Sequence, residues 1–450
     1  MSAHRLTRRQ ALSAVAATTA ALGLGAAGAL TSSAKEGDTD RDGRLPTPNE
    51  SGIDHIVLVM MENRSFDHFL GWLPGHDGRQ AGLRYADTAG VFHPTHHLAP
   101  NYQGCGFADP DHSFGGARVE YDNGRCDGWL RAGMNDVFSI GYYERDDLMF
   151  LGAIAPRFAT PDRYFAAILG PTFPNRIFQH AGQTDRLSNT LALSTLPTIW
   201  DRLSAAGVSG RYYFSDIPAL ALWGAKYLGI SHPVATFLSD AAAGTLPAVS
   251  FIDPGFAGEA SGTSNDDHPF NDIRNGEVFL NTLYQAVTSG PAWRNTVFIV
   301  NFDEWGGFFE HVPPPVGAVT DQERALGYTD GLRGFRVPCV VISPWSQHND
   351  VPRTVFDHTS ILRFIEWRFN LAPLSVRDAQ ANNLARVLDF DHPRLATPRP
   401  DVPPGPYGGA CPQTPAASSA ATTASAASSS TVDNEWLPVR DLARQYGWPV

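Results

Sequence analysis

Two carboxylates, Asp303 and Glu304, stand side by side where an apolar run, Thr296-Val297-Phe298-Ile299-Val300, gives way to polar sequence. Oxygen ligands of this kind suit hard or borderline divalent cations, and imidazole joins them readily. The run is β-branched and aromatic and reads as a buried strand. Gly306-Gly307 lets the chain turn, and His311 follows. A second run, Ile53 to Met61, breaks in the same manner into Glu62-Asn63-Arg64-Ser65-Phe66-Asp67-His68. In open α/β sheets ligands bind outside the carboxyl ends of the strands. Two such ends on neighbouring parallel strands can therefore supply one site, although either turn alone is as readily a solvated one.

A hydroxyl and further histidines add to the inventory. Leu169-Gly170-Pro171-Thr172-Phe173-Pro174-Asn175-Arg176 holds an unusual turn, and Pro174 is expected to open a short helix. Thr172 then precedes a helix N-terminus, where the dipole and free N–H groups favour an attacking alkoxide. The segment by itself reads more simply as an N-cap. His112 lies in Asp109-Pro110-Asp111-His112, and His268 in Asp266-Asp267-His268-Pro269; His93, His96 and His97 read as a solvated loop.

Positioning these groups requires strands that alternate with helices. The pattern predicts strands at 54–61, 209–214, 248–253, 296–302 and 334–343, and helices at 196–206, 273–288 and 359–369. Ser65 is a candidate cap for a helix after the first strand. The alternation implies a mostly parallel sheet covered on both faces. Residues 75–165 are Gly-, His- and aromatic-rich, and a loop region of that length in a compact domain is usually functional.

Composition narrows the classes. With 43% hydrophobic and 18% charged residues the bulk of the 450-residue chain is globular. A formal net charge of −12 argues against nucleic acid and against anionic membranes, leaving zwitterionic lipid open. Residues 1–34 carry Arg8-Arg9 before an Ala/Gly/Leu stretch and read as a twin-arginine export signal, so the protein is expected to be secreted or associated with the cell envelope. Residues 35–50 read as a flexible lead-in and 51–410 as the catalytic domain. The Ala/Ser/Thr run in 411–433 reads as a linker, and 434–450 as a tail that docks as a helix or stays loose. Of four cysteines, Cys105 and Cys126 share one loop region and are candidates to pair; Cys339 reads as a free core thiol.

Taken in order, Met60-Met61-Glu62-Asn63-Arg64-Ser65-Phe66-Asp67-His68, Gly170-Pro171-Thr172-Phe173-Pro174-Asn175-Arg176, His268-Pro269 and Asp303 to Pro314 resemble the bacterial phosphoesterase family of phosphatidylcholine-type phospholipases C and related acid phosphatases. That family belongs to the alkaline phosphatase superfamily, and the resemblance spans roughly residues 52–372. It implies an α/β fold of three αβα layers with a mostly parallel central sheet and long loop insertions. It also implies a divalent metal ion held by Glu62, Asn63, Thr172, Asp303 and Glu304, with Thr172 as nucleophile. His112, His268 and His311 would line the phosphate pocket, and Asp357-His358 would play a supporting part. Trp305 and Glu310 depart from the residues common in the family.

The chemistry implied is phosphoester hydrolysis through a phospho-threonine. The metal would activate the Thr172 hydroxyl, and one histidine, His268 or His311, would protonate the leaving group. A phospholipase C would meet lipid through an apolar rim, for which Phe107, Phe114, Trp129, Phe138, Tyr142, Tyr143 and Phe150 are candidates. Trp305 with Trp129 is a candidate choline cage. The expected partners are a phospholipid or small phosphoester and, peripherally, membrane lipid; no protein partner is expected. An acid phosphatase of soluble monoesters is the alternative, and an inactive binding protein of the same fold a second.

Overall fold

The first strand, β1 (His55–Met61), is apolar and buried along all but its first residue, as a central parallel strand must be. It leads into a short helix, α1 (Phe66–Leu70), capped by Ser65, whose side chain accepts the His68 N–H. After the long loop region come α2 (Thr172–Ala181), α3 (Ile199–Ala205) and β2 (Gly210–Phe214). Then follow β3 (Ser231–Pro233), α4 (Val234–Ala243), β4 (Val249–Asp253), α5 (Ile273–Ser289) and β5 (Thr296–Phe302). The chain continues with β6 (Cys339–Ile342), α6 (His358–Phe369) and α7 (Trp436–Gln445). The computed structural model describes residues 45–347, 353–412 and 434–450. The export signal, most of the lead-in and nearly all of the linker lie outside the described residues. Among the described residues no helix is long and apolar enough to cross a membrane.

The sheet order is β6-β5-β1-β4-β2-β3. All neighbours run parallel except β6, which is antiparallel to β5. Helices flank both faces. Adjacent strand residues point to opposite sides; on β2, Tyr212 meets His180 of α2, whereas Tyr213 meets Phe237 of α4. The architecture is thus the expected three-layer α/β arrangement. Register then does the positioning. Met61 pairs with Phe302, so Glu62 and Asp303 leave the sheet side by side, and Val59 pairs with Ile252, which brings Asp253 alongside.

Some elements depart from expectation. The helix α2 starts at Thr172, with Pro171 in the cap position and Pro174 inside the first turn; Thr172 is therefore the first helical residue rather than the N-cap. The segment Ser231 to Ala243, not foreseen as structured, supplies an edge strand and a helix. Cys105 pairs with Cys411, 306 residues away, and Cys126 is a buried free thiol like Cys339. Proximity in sequence misled here, because the 405–411 segment folds back on the loop: Gln103 Nε2 donates to Gly409 O at 2.7 Å. The loop aromatics largely form a core. Trp129, Phe138, Tyr143 and Phe150 are fully buried and Tyr142 nearly so, which removes most of the expected apolar rim. Trp129 and Trp305 both pack on Phe335 and are closed to solvent, so they form no cage for a ligand.

Candidate functional site

The site is built at the carboxyl ends of β1 and β5 and the N-terminus of α2. Directly after β1, Asn63 adopts a left-handed φ of 59°, a conformation asparagine tolerates. Its N–H donates to Asp303 Oδ1 at 3.3 Å, and Arg64 N–H donates to Glu304 O at 3.2 Å. The two strand-end turns are thus tied together. Gly306 is required there: it has a φ of 64°, and a Cβ would lie 2.1 Å from Asn63 O. Gly307, at a φ of 70°, likewise lets Pro110 and Asp111 approach, which seats the His112 loop on the acidic turn.

The carboxylates are wholly buried. Asp303 Oδ1 accepts the Glu304 N–H at 2.7 Å, and Glu304 Oε2 accepts the Gly306 N–H at 2.7 Å. Burial pushes Asp303 up to about 6, against the pull of Arg176. Burial pushes Glu304 up to about 8, opposed by His112 and reinforced by Asp303. Burial also raises Glu62 well above its ordinary value, with Arg176 opposing. Arg176, on α2 one turn beyond Thr172, is the cation these acids share. Its Nη2 donates to Glu62 Oε1 at 3.2 Å, its Nη1 to Asp253 Oδ1 at 3.0 Å, and its Nε lies 3.3 Å from Asp303 Oδ2.

Whether these residues fit a metal ion can be judged from their unpaired oxygens. Glu62 Oε2, Asn63 Oδ1, Thr172 Oγ1, Asp303 Oδ2 and Glu304 Oε1 are all buried without a hydrogen-bond partner. A buried polar atom left unpaired costs about 1–3 kcal/mol. All five residues expected to ligate a cation share this feature, and all five atoms are hard oxygen donors. Asp303 Oδ2 has the Arg176 ion pair but no hydrogen bond, so it is the least bare. The residues fit a divalent cation. Among the described residues, the acids whose carboxylate oxygens converge within 4.8 Å at Glu62 are Glu259 and Asp266, not Asp303 and Glu304; Glu259 leaves both of its oxygens unpaired.

Two of the three expected histidines meet. The His112 and His268 rings lie 5.8 Å apart, edge to face. His112 Nδ1 points at Pro110 O at 2.9 Å, and His268 Nδ1 at Pro269 O. In each ring the carbonyl holds the proton on Nδ1 and leaves Nε2 for other partners. His112 Nε2 lies 3.4 Å from Asn63 Nδ2, a hydrogen bond only while Nε2 is unprotonated. Burial works against charge on His112, yet Glu304, Asp109 and Glu435 raise it to about 10. A cation on Glu304 would weaken the largest part of that pull. His112 also lines a cleft of about 510 Å³ together with Asp109, Phe114, Pro171, Leu187 and Asn189.

His311 is held elsewhere. Its Nδ1 lies 2.5 Å from Asp67 Oδ2 and its Nε2 3.2 Å from Asp77 Oδ1. Arg336 donates to Glu310 Oε1 at 2.7 Å and to Asp67 Oδ1 at 3.2 Å. Burial lowers the His311 pKa less than Asp67 and Glu310 raise it. This network fastens α1 to the acidic turn, and the structure does not bring His311 to His112, His268 or the strand-end ligands. His358 supports the site from behind: its Nε2 meets Asp303 O at 2.7 Å. Asp357 caps α6 and pairs with Arg333.

Several residues of the site were not singled out from sequence. Arg176 and Asp253 sit in segments that were read, but nothing in their spacing announced an ion triad. Glu435 and Trp436 lie beyond a linker, and their arrival beside Glu62 is visible only in three dimensions: Trp436 Nε1 donates to Glu62 Oε1 at 3.0 Å.

A parallel α/β sheet that collects buried acids, imidazoles and a helix-end hydroxyl at its carboxyl edge defines a hydrolytic enzyme of the α/β class. The Phosphoesterase family profile matches residues 53–372, and the chain belongs to that family. Phospholipase C B of Mycobacterium tuberculosis is 31% identical over 479 residues, covering 87% of this chain and 89% of its own length. Non-specific phospholipase C6 of Arabidopsis thaliana is 29% identical, covering 79% and 75%. Hemolytic phospholipase C of Pseudomonas aeruginosa is 29% identical, and the match covers 56% of its length. A protein in the alkaline phosphatase superfamily from Vibrio parahaemolyticus, known from its crystal structure, matches at 12% identity and a TM-score of 0.37, over 73% of this chain and 69% of that one. That likeness is distant, and the fold rests on the sheet topology. The protein is a phosphoric ester hydrolase.

Proposed function

We propose that the protein is a metal-dependent phospholipase C, cleaving phosphatidylcholine-type lipids to diacylglycerol and a phosphorylated head group. The observation that carries this reading is the set of five unpaired, buried oxygens on Glu62, Asn63, Thr172, Asp303 and Glu304. The relatives named phospholipase C supply the substrate class.

Thr172 Oγ, its proton already passed to solvent, attacks phosphorus as the alkoxide; the Oγ–P bond forms and the P–O bond to the glycerol breaks. His268, entering the step as an imidazolium with both ring nitrogens protonated, gives its Nε2 proton to the departing alkoxide. The same imidazole then takes a proton from water, which attacks phosphorus and frees Thr172. A divalent cation held by Glu62, Asn63, Thr172, Asp303 and Glu304 would lower the pKa of the hydroxyl and neutralise phosphoryl charge. In the N-terminal turn of α2 the Phe173 N–H is taken by Asn189 Oδ1 and Pro174 has none, so the turn offers an anion at most the Thr172 N–H.

Export by the twin-arginine route, to the medium or the cell envelope, is part of the proposal. The Cys105–Cys411 disulfide supports it, since such bonds persist in oxidising compartments. Peripheral contact with lipid belongs to the same reading. The burial of the loop aromatics favours a second one, hydrolysis of soluble phosphomonoesters, which needs only a polar mouth.

The test is a paired assay on the mature protein: phosphocholine released from phosphatidylcholine vesicles, beside phosphate released from a soluble monoester, each with and without chelator. Chelator-sensitive phosphocholine release is expected. Monoester cleavage alone would replace the lipase reading by the phosphatase one.

A further inference from the structure

Beyond the linker, the chain returns to the site. Asn434 caps the last helix, its Oδ1 accepting the Trp436 and Leu437 N–H groups, while its Nδ2 donates to Phe256 O at 2.9 Å. Trp436 is fully buried, stacked on Phe256 at 4.0 Å and tilted against Phe173, the neighbour of Thr172, at 5.1 Å. Farther along, Trp448 donates to Gly224 O at 2.9 Å, so the segment is anchored at both ends.

Two contacts reach the chemistry itself. Trp436 Nε1 and Arg176 Nη2 both bond Glu62 Oε1, which leaves Oε2 bare. Glu435 Oε2 accepts from Asn189 Nδ2, and Asn189 Oδ1 in turn accepts the Phe173 N–H at 2.8 Å. The other Glu435 oxygen, Oε1, is buried and unpaired, as are the five ligand oxygens.

We propose that the C-terminal segment braces the cation site: Trp436 is a positioning residue that holds Glu62 Oε1 and so turns Oε2 to the cation. The inference rests on the metal-dependent reading above. It makes the C-terminal segment a working part of the enzyme. Partners that orient a ligand in this way typically change metal affinity 10- to 100-fold when removed.

The experiment titrates Mn²⁺ and Ca²⁺ separately into the metal-stripped full chain by calorimetry. It compares the wild type with Trp436→Phe and with Asp441→Asn, which alters an exposed residue of the same helix. Trp436→Phe removes the N–H together with part of the ring system, so it is expected to melt lower, and affinity is read at a temperature where circular dichroism shows the variant folded. Folded Trp436→Phe is expected to bind the cation at least tenfold more weakly, while Asp441→Asn binds as the wild type. Wild-type affinity in folded Trp436→Phe would overturn the inference and leave the metal-dependent reading intact. No binding by the wild type would overturn both.

Discussion

Arg176 Nε lies 3.3 Å from Asp303 Oδ2, a buried ion pair that joins the helix of Thr172 to the acidic strand end. The same guanidinium pairs with Glu62 and Asp253, so one side chain compensates acids from three neighbouring strands. Removing one member of a buried pair costs about 3–5 kcal/mol, because the other charge is left uncompensated. Arg176→Met should lose stability of that order in chemical denaturation. Added divalent cation should restore more stability in the variant than it adds to the wild type. Equal stability of variant and wild type would contradict the assignment.

Asp357 gives a pH prediction. Burial alone would raise it, but Arg333 and Arg377 hold its carboxyl down at about 2. A carboxyl depressed in the folded state adds stability above its unfolded value, near 4, and loses it as pH falls through the folded one. The two-unit difference is worth about 2–3 kcal/mol. Asp357→Asn keeps the helix cap and should lose about this amount at pH 6. The difference between variant and wild type should shrink between pH 4 and 2. A difference constant across that window would refute the pairing.

The disulfide separates two pairings by mutation. Cys105→Ser and Cys411→Ser should each destabilise the oxidised protein by about 2–5 kcal/mol. Neither should cost further stability once reductant is present. Cys126→Ala, at a buried free thiol, should lose as much stability to reductant as the wild type does. Peptide mapping that joins Cys105 to Cys126 would overturn the fold-back of residues 405–411.

Strand ends were legible because apolar runs and abrupt acids are local signals: Glu62 and Asp303 were placed by the period of β1 and β5, and register did the rest. Thr172 was found by motif, with its helix starting two residues early because Pro171 takes the cap position. The grouping of His112 with His268, and the diversion of His311 to Asp67, were not legible. Each depends on which face of a loop meets which neighbour. Trp436 and Cys411 were missed for the same reason: their partners lie hundreds of residues away, and a linker conceals the return. The loop aromatics misled because composition alone does not separate a rim from a core.

Loss of metal should act on both function and stability. The carboxylates of Glu62, Asp303 and Glu304 are crowded and buried, so a chelator should abolish turnover and lower the melting temperature. Re-addition of a divalent cation should reverse both effects. Turnover that survives exhaustive chelation would remove the cation from the account.

The central claim is that Thr172 carries the phosphoryl group. Its most direct test is phosphocholine release from phosphatidylcholine vesicles by the wild type, Thr172→Ser and Thr172→Val, with trapping of the phosphorylated protein by acid quench. The account predicts release and a labelled protein for the wild type, retention of some of both with serine, and neither with valine although that variant folds. Release by Thr172→Val at the wild-type rate would contradict it.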